Sequence, residues 1–246
     1  MFSSFQNRLK QLGLDFVHVN RIPSGPHWGP LYACVSSAHT SNNGMMGILL
    51  GNTKLMWPIF IEHVHQHKAW EHKQNPLDEF IENQVQTALR DVPLISLGKA
   101  QVFYSHRRYP ASSKNQEQSF VPFQRLADAM GMCALHEPSY LCIHPEYGPW
   151  FSLRALILVS LDDWPELADC VSPNVPRIIV SDEVTREIQQ RMVQLTSGDK
   201  ATWQDWVKLR RFLGHSIPSS SKWEYSQDQL IYHYTHDRSV LCNDSK

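Results

Sequence analysis

Residues 140–159, YLCIHPEYGPWFSLRALILV, constrain the fold more than any other stretch of the chain. One β-prone run ends at His144, Pro145-Glu146-Tyr147-Gly148-Pro149 interrupts it, and a second run begins at Trp150. Pro and Gly at that density between β-prone runs mark a turn, so the pattern predicts a strand–turn–strand hairpin. Side chains of a strand alternate between faces. The spacing therefore predicts Phe151, Leu153, Ala155, Ile157 and Val159 on one face, a plain core stripe. Trp150, Ser152, Arg154, Leu156 and Leu158 fall on the other. That second face sets an indole, a hydroxyl and a guanidinium in a row, a set that suits the wall of a cleft.

The rest of the chain alternates helices and strands around this unit. A short helix over 5–12 stops at Gly13 and is followed by the strand-like LDFVHV. Residues 21–30 read as a Pro- and Gly-rich loop, 31–37 as a strand, 39–43 as a polar turn, 45–50 as a buried strand and 54–72 as a helix. The clearest helix runs over 75–91. Asn75 caps it, Pro76 sits at its first position, Asp78 and Glu79 suit its positive end, and Leu77, Ile81, Val85 and Leu89 form its apolar stripe. A strand over 94–106 bends at Gly98, a polar loop reaches about residue 119, and a helix over 123–130 is closed by Gly131. After the hairpin come a loop over 162–176 and helices over 182–196, 203–213 and 226–234. Val184, Ile188, Met192 and Leu195 share one face of the first of these. The pattern is a mixed α/β or α+β chain. It shows no internal repeat and no linker, so it reads as one domain over 1–246.

Composition excludes several function classes. The 23 Lys+Arg nearly balance the 24 Asp+Glu, so no basic field points to nucleic acid. No apolar run approaches bilayer length and no apolar leader opens the chain, so the expected compartment is cytoplasmic, without a membrane partner. The five cysteines are scattered and none forms a C-x-x-C. A disulfide framework, a zinc ribbon and an iron–sulfur cluster are not expected.

Three constellations stand out. His63, His65, His67 and His72 crowd one helix, but no cysteine or H-E-x-x-H accompanies them, and a solvated helix is the preferred reading. Arg154, Arg210 and Arg238 would form a site for a carboxylate-bearing ligand if the C-terminal helices returned over the hairpin; surface ion pairs are the default for each alone. Trp203, Trp206, Trp223, Tyr225, Tyr232 and Tyr234 are core packing or the wall of a pocket for a large flat ligand, with Trp203 and Trp206 on one helical face. No Gly-rich phosphate loop, nucleophile elbow or kinase motif is present.

The run Cys142-Ile143-His144-Pro145-Glu146-Tyr147-Gly148-Pro149-Trp150-Phe151-Ser152-Leu153-Arg154 resembles the C-I-H-P-x-[FY]-G-x-W-F-x-[IL]-R segment of the CblC family, which decyanates and dealkylates vitamin B12 in the cytosol. The GNTKLMWP turn after the strand at 45–50, Asn75-Pro76-Leu77-Asp78, Asp169-Cys170-Val171, Trp203-Gln204-Asp205-Trp206 and Tyr225-Ser226-Gln227-Asp228-Gln229 resemble further family segments in the same order. Ala129-Met130-Gly131-Met132 and Gly148-Pro149-Trp150-Phe151 are also similar to the N-terminal part of epoxyqueuosine reductase. The cysteine-rich module that follows there has no counterpart here, where only Cys170 and Cys242 come after the hairpin.

The resemblance implies an α+β, flavin-nitroreductase-like fold: a mixed sheet flanked by helices, with a helical C-terminal cap over about 200–246. It implies cobalamin binding, reductive decyanation with electrons from FMN or FAD, and dealkylation by glutathione. Arg154 matches a family arginine that holds glutathione, and Arg210 and Arg238 match two others with short shifts. Trp150 and Ser152 would line the cobalamin cavity, with Cys142, His144 and Trp206 as further binding candidates. Asp128 stands where human-type members carry a histidine that approaches the corrin, and Cys133-Ala134-Leu135-His136 replaces a tyrosine-rich run. Cobalt is held by the corrin, so no protein metal site is expected. A CblD-like protein is the implied partner. A non-catalytic cobalamin chaperone and a flavin-dependent reductase of the same fold are the other readings.

Overall fold

The computed structural model describes residues 2–23, 44–67, 73–90, 92, 99–109, 119–197 and 201–242. The fold is α+β, an antiparallel sheet flanked by helices. The chain divides into two compact units, Met1–Asn52 with Leu77–Met132 and Ser152–Asn174, and Thr53–Pro76 with Cys133–Phe151 and Val175–Lys246.

The first unit is built on four strands: β1 (Phe16–Arg21), β2 (Met45–Asn52), β3 (Ala100–Tyr104) and, far along the chain, Ser152–Ser160, here β8. Their order is β1-β2-β8-β3, and every pairing is antiparallel. The mixed sheet expected from sequence is thus antiparallel throughout its described strands. β2 is buried from Met46 onward and β8 from Arg154 onward, on both faces. Two-sided burial is why these strands read as continuous apolar runs, not as a polar–apolar alternation.

Cross-strand partners share a face. His18 pairs with Leu49 and Asn20 with Gly47, while Leu156 and Leu158 oppose the same two β2 residues. That face receives the end of α4 (Phe123–Ala129; α1 to α3 are Phe2–Gln11, Met56–Gln66 and Pro76–Arg90). His18 Nε2 and Asn20 Nδ2 both donate to the Met130 carbonyl, at 2.7 and 2.9 Å. A Cβ on Gly47 would lie 2.5 Å from Ile22 Cδ1, 3.0 Å from Leu156 Cδ1 and 3.1 Å from Met130 Cε, so the glycine makes room for all three side chains. The opposite face carries Leu50, Ala155 and Tyr104, and the Tyr104 hydroxyl accepts from Gln86 of α3 at 3.1 Å. The stripe Leu77, Ile81, Val85 and Leu89 of α3 is buried as its periodicity predicts. Gly131, at φ 75°, follows α4 in the left-handed region that stops helices. Two short strands, β4 (Arg108–Tyr109) and β5 (Ser119–Phe120), also pair antiparallel.

The second unit is mainly helical. It holds a two-stranded sheet, β6 (Ala134–His136) with β7 (Leu141–Ile143), together with α2, α5 (Asp182–Ser197), α6 (Trp203–His215) and α7 (Gln227–Thr235). Ile188 of α5 and Leu209 and Leu213 of α6 bury against Ile143 and Ile217, with Val184, Met192 and Leu195 packed around them. Trp57 and Phe60 of α2 meet Tyr232 of α7 at ring separations of 5.6 and 5.9 Å. Ser226 caps α7 by accepting from the Gln229 amide. The readings for 31–37, 39–43, Gly98 and His72, and most of the loops over 21–30 and 110–118, lie outside the described residues.

The hairpin at 140–159 is not formed. β7 pairs with β6, and β8 with β2 and β3. The Pro-Gly stretch between them closes on itself instead, through His144 N to Gly148 O (2.9 Å) and Gly148 N to His144 O (2.8 Å). Pro149, Trp150 and Phe151 follow before β8 starts at Ser152. Trp150, expected on that strand, therefore precedes it.

Candidate functional site

In the first unit Ser152 and Arg154 stand at the start of β8. Leu50 opposes Ala155 and Gly51 opposes Leu153, so Arg154 is an extra residue, the site of a β-bulge. The bulge breaks the alternation read from sequence: Leu153, expected beside Ala155, shares a face with Gly51 instead. Arg154 is buried, its Nε donates to Asn52 Oδ1 at 2.6 Å, and its carbonyl accepts from Ser105 N at 2.9 Å. Ser152 opposes Asn52, so the bulge sets Ser152, Arg154 and Asn52 together. Asn52 was not singled out from sequence. Its signal is a polar residue ending an otherwise apolar strand, and it is fully buried.

Asp128 lies in α4, two residues before Met130, whose carbonyl holds His18 and Asn20. Asn20 also donates to Asn174 Oδ1 at 3.3 Å. A Cβ at Gly131 would stand 2.1 Å from that same oxygen, so glycine is required for space as well as for φ. Burial lowers the pKa of His18, and its bond to the Met130 carbonyl opposes this only in part. A neutral imidazole that donates through Nε2 follows.

In the second unit, His144 serves the turn. Its Nδ1 accepts from Glu146 N at 3.1 Å, and its ring stacks on Tyr147 at 4.5 Å. Gly148 has φ 57°, and a Cβ there would lie 2.3 Å from Ser220 Cβ. Ser219 Oγ donates to the Pro145 carbonyl, and Ser220 Oγ to the Gly214 carbonyl. Cys142 is buried in β7 opposite Leu135.

Trp150 is 1% exposed and packs with Val207, Tyr225 and Leu230. Arg210 joins it, with its guanidinium carbon 4.8 Å from the Trp150 ring and 5.0 Å from that of Tyr225. Trp203 packs on this cluster, whereas Trp206 packs on the one around Ile188 and Leu209. The single aromatic wall read from their spacing is thus divided between two cores. Arg238 is exposed and its Nη2 donates to the Gln74 carbonyl at 2.9 Å. The structure therefore brings Trp150 and Arg210 together in this unit, with Arg238 on other partners. Sequence reading placed Tyr225 among the aromatics and in the Tyr225–Gln229 segment; that it faces Arg210 is a tertiary fact with no local signal.

The histidine-rich helix is α2. His63 and His67 stack at 4.5 Å, and His65 Nε2 bonds the Leu241 carbonyl at 2.9 Å. Among the described residues no three His, Cys, Asp or Glu side chains stand where they could hold a metal ion, and no helix is long and apolar enough to cross a membrane.

No protein-family model and no curated protein matches the sequence. The fold is similar to that of the crystal structure of a C. elegans B12-trafficking protein CblC, a human MMACHC homologue. The TM-score is 0.63 at 14% identity, over 98% of this chain and 95% of that one.

Proposed function

We propose that the chain binds cobalamin and processes it by removing the upper axial ligand. The observation that carries this reading is the likeness in fold to a B12-trafficking CblC over nearly the whole chain. The order of the resembling segments, from the GNTKLMWP turn to Tyr225-Ser226-Gln227-Asp228-Gln229, supports it.

Cobalt supplies the electron chemistry when cobalamin is bound, and the chain's residues bind, orient and exclude water. Trp150, Ser152, Trp206, Cys142, His144 and Asp128 are the proposed cobalamin contacts. For an alkylcobalamin, glutathione is the proposed nucleophile. The resemblance assigns its carboxylates to Arg154 and Arg238, and the geometry of Arg210 points elsewhere. Holding a bound nucleophile in line lowers a barrier by several kcal/mol. Decyanation would draw electrons from FMN or FAD, and a CblD-like protein would receive the product. The proposed setting is cytoplasmic.

A second reading, a cobalamin carrier without catalysis, draws on Asp128 and on Cys133-Ala134-Leu135-His136, where the chain departs from the family pattern. Titration with methylcobalamin tests both. A shift of its spectrum to the yellow base-off form is expected, followed by loss of the methyl group when glutathione is added. A shift with no glutathione-dependent loss selects the carrier. No shift at all refutes cobalamin binding.

A further inference from the structure

Arg210 is 6% exposed, yet its donors face backbone. Nε donates to the Pro149 carbonyl at 2.9 Å, and Nη2 donates to that same carbonyl and to the Phe151 carbonyl, the latter at 3.2 Å. The rigid guanidinium fork thus spans two carbonyls on either side of Trp150, while its carbon lies within 5.0 Å of the Trp150 and Tyr225 ring centres. The two rings meet edge to face at 5.7 Å. Neighbouring turns of α6 are shaped to the same object. Val207, three residues before, packs on Trp150. Gly214, four residues after, is where a Cβ would come 3.2 Å from Trp150 Nε1. Residues three and four apart line one helix face, so Val207, Arg210 and Gly214 form a single surface fitted to Trp150.

We propose that Arg210 is a positioning residue that fixes the 149–151 backbone and the Trp150 indole, and that it does not receive a ligand carboxylate. To take a carboxylate on the Nε–Nη2 edge of its fork it would have to release two buried carbonyls, which would then lack donors. Nε and Nη2 are thus held by carbonyl dipoles and the guanidinium plane by two aromatic rings, with no anion involved. The proposal departs from the glutathione role that the resemblance implies for Arg210. Only its kinetic arm rests on the cobalamin reading.

The test uses Arg210→Lys, which keeps the charge but lacks the fork, alongside Trp150→Phe. Near-ultraviolet circular dichroism reads the setting of Trp150 without any ligand. Arg210→Lys is expected to change the aromatic bands, and to change them far less when Trp150 is already Phe. Bands identical to wild type in Arg210→Lys overturn the proposal, as does a change that persists in the Trp150→Phe background. In the kinetic arm the Lys variant should leave the glutathione KM within about twofold of wild type while cobalamin binds about tenfold more weakly. A tenfold rise in the glutathione KM with cobalamin binding unchanged also overturns it. If methylcobalamin gives no spectral shift even with wild type, the cobalamin reading has failed, and the dichroism arm decides the role of Arg210 alone.

Discussion

Replacing Gly148 with alanine tests how the turn at 144–148 is held. Gly148 sits at φ 57°, where an L side chain costs about 1 kcal/mol. The added Cβ would also stand 2.3 Å from Ser220 Cβ, an overlap that backbone or side chain must relieve. Overpacking of this kind costs about 1–3 kcal/mol. A less flexible unfolded chain returns roughly 0.5 kcal/mol. The net loss expected is therefore about 2–3 kcal/mol, read as a lower urea midpoint with an unchanged slope. A double-mutant cycle separates the two contributions. Ser220→Gly alone loses the bond from Ser220 Oγ to the Gly214 carbonyl, about 1 kcal/mol. In the double variant the overlap is gone, because the next atom, Ser220 Cα, would be 3.5 Å away. The double variant should thus be more stable than the two single losses predict, by about 1–2 kcal/mol. Strict additivity would refute the steric argument, and a Gly148→Ala variant as stable as wild type would refute the whole account.

Two further outcomes are expected. Asn52→Ala takes an acceptor from the buried Arg154 guanidinium and should lower stability by about 2–3 kcal/mol in urea unfolding; a loss within about 0.5 kcal/mol would show that the contact contributes little. His18→Gln keeps a donor for the Met130 carbonyl but does not titrate. Burial holds the folded pKa of His18 below 6.5, so just below pH 6.5 the unfolded chain binds more protons, and stability falls as the solution is acidified through that window. The variant should show a shallower fall than wild type in urea midpoints from about pH 7 to about pH 5, and an equal slope would argue against a buried neutral imidazole.

What could be read from sequence follows local physics. The helix Pro76–Arg90 carries its own start signal and stripe, and α4 ends where Gly131 supplies a left-handed residue. The face of α5 bearing Val184, Ile188, Met192 and Leu195 was equally plain from its period. The partners of the two runs at 140–159 were not readable. A dense turn fixes that the chain reverses, but which strand each run joins depends on its partner: β7 pairs with β6, which lies just before it, and β8 with β2, which is remote in sequence. The break in alternation at Arg154 has the same cause, since a bulge is a property of two strands in register. Trp203 and Trp206 looked like one wall because three-residue spacing brings side chains near each other. Two separate cores on either side of α6 then divide them. The carbonyls that occupy Arg210 are invisible in any side-chain motif.

The bulge at Arg154 gives the central strand an unusual tolerance of length. In a regular ladder buried on both faces, losing one residue would shift every later pair and turn its side chains over. Here the pairs flanking the bulge, Leu50 with Ala155 and Gly51 with Leu153, already follow one another on β2. A chain lacking position 154 could keep both, and with them the whole sheet. The guanidinium is thus carried on a residue outside the strand register, so its loss would be felt in its bonds to Asn52 and Ser105 and not in the pairing of the sheet.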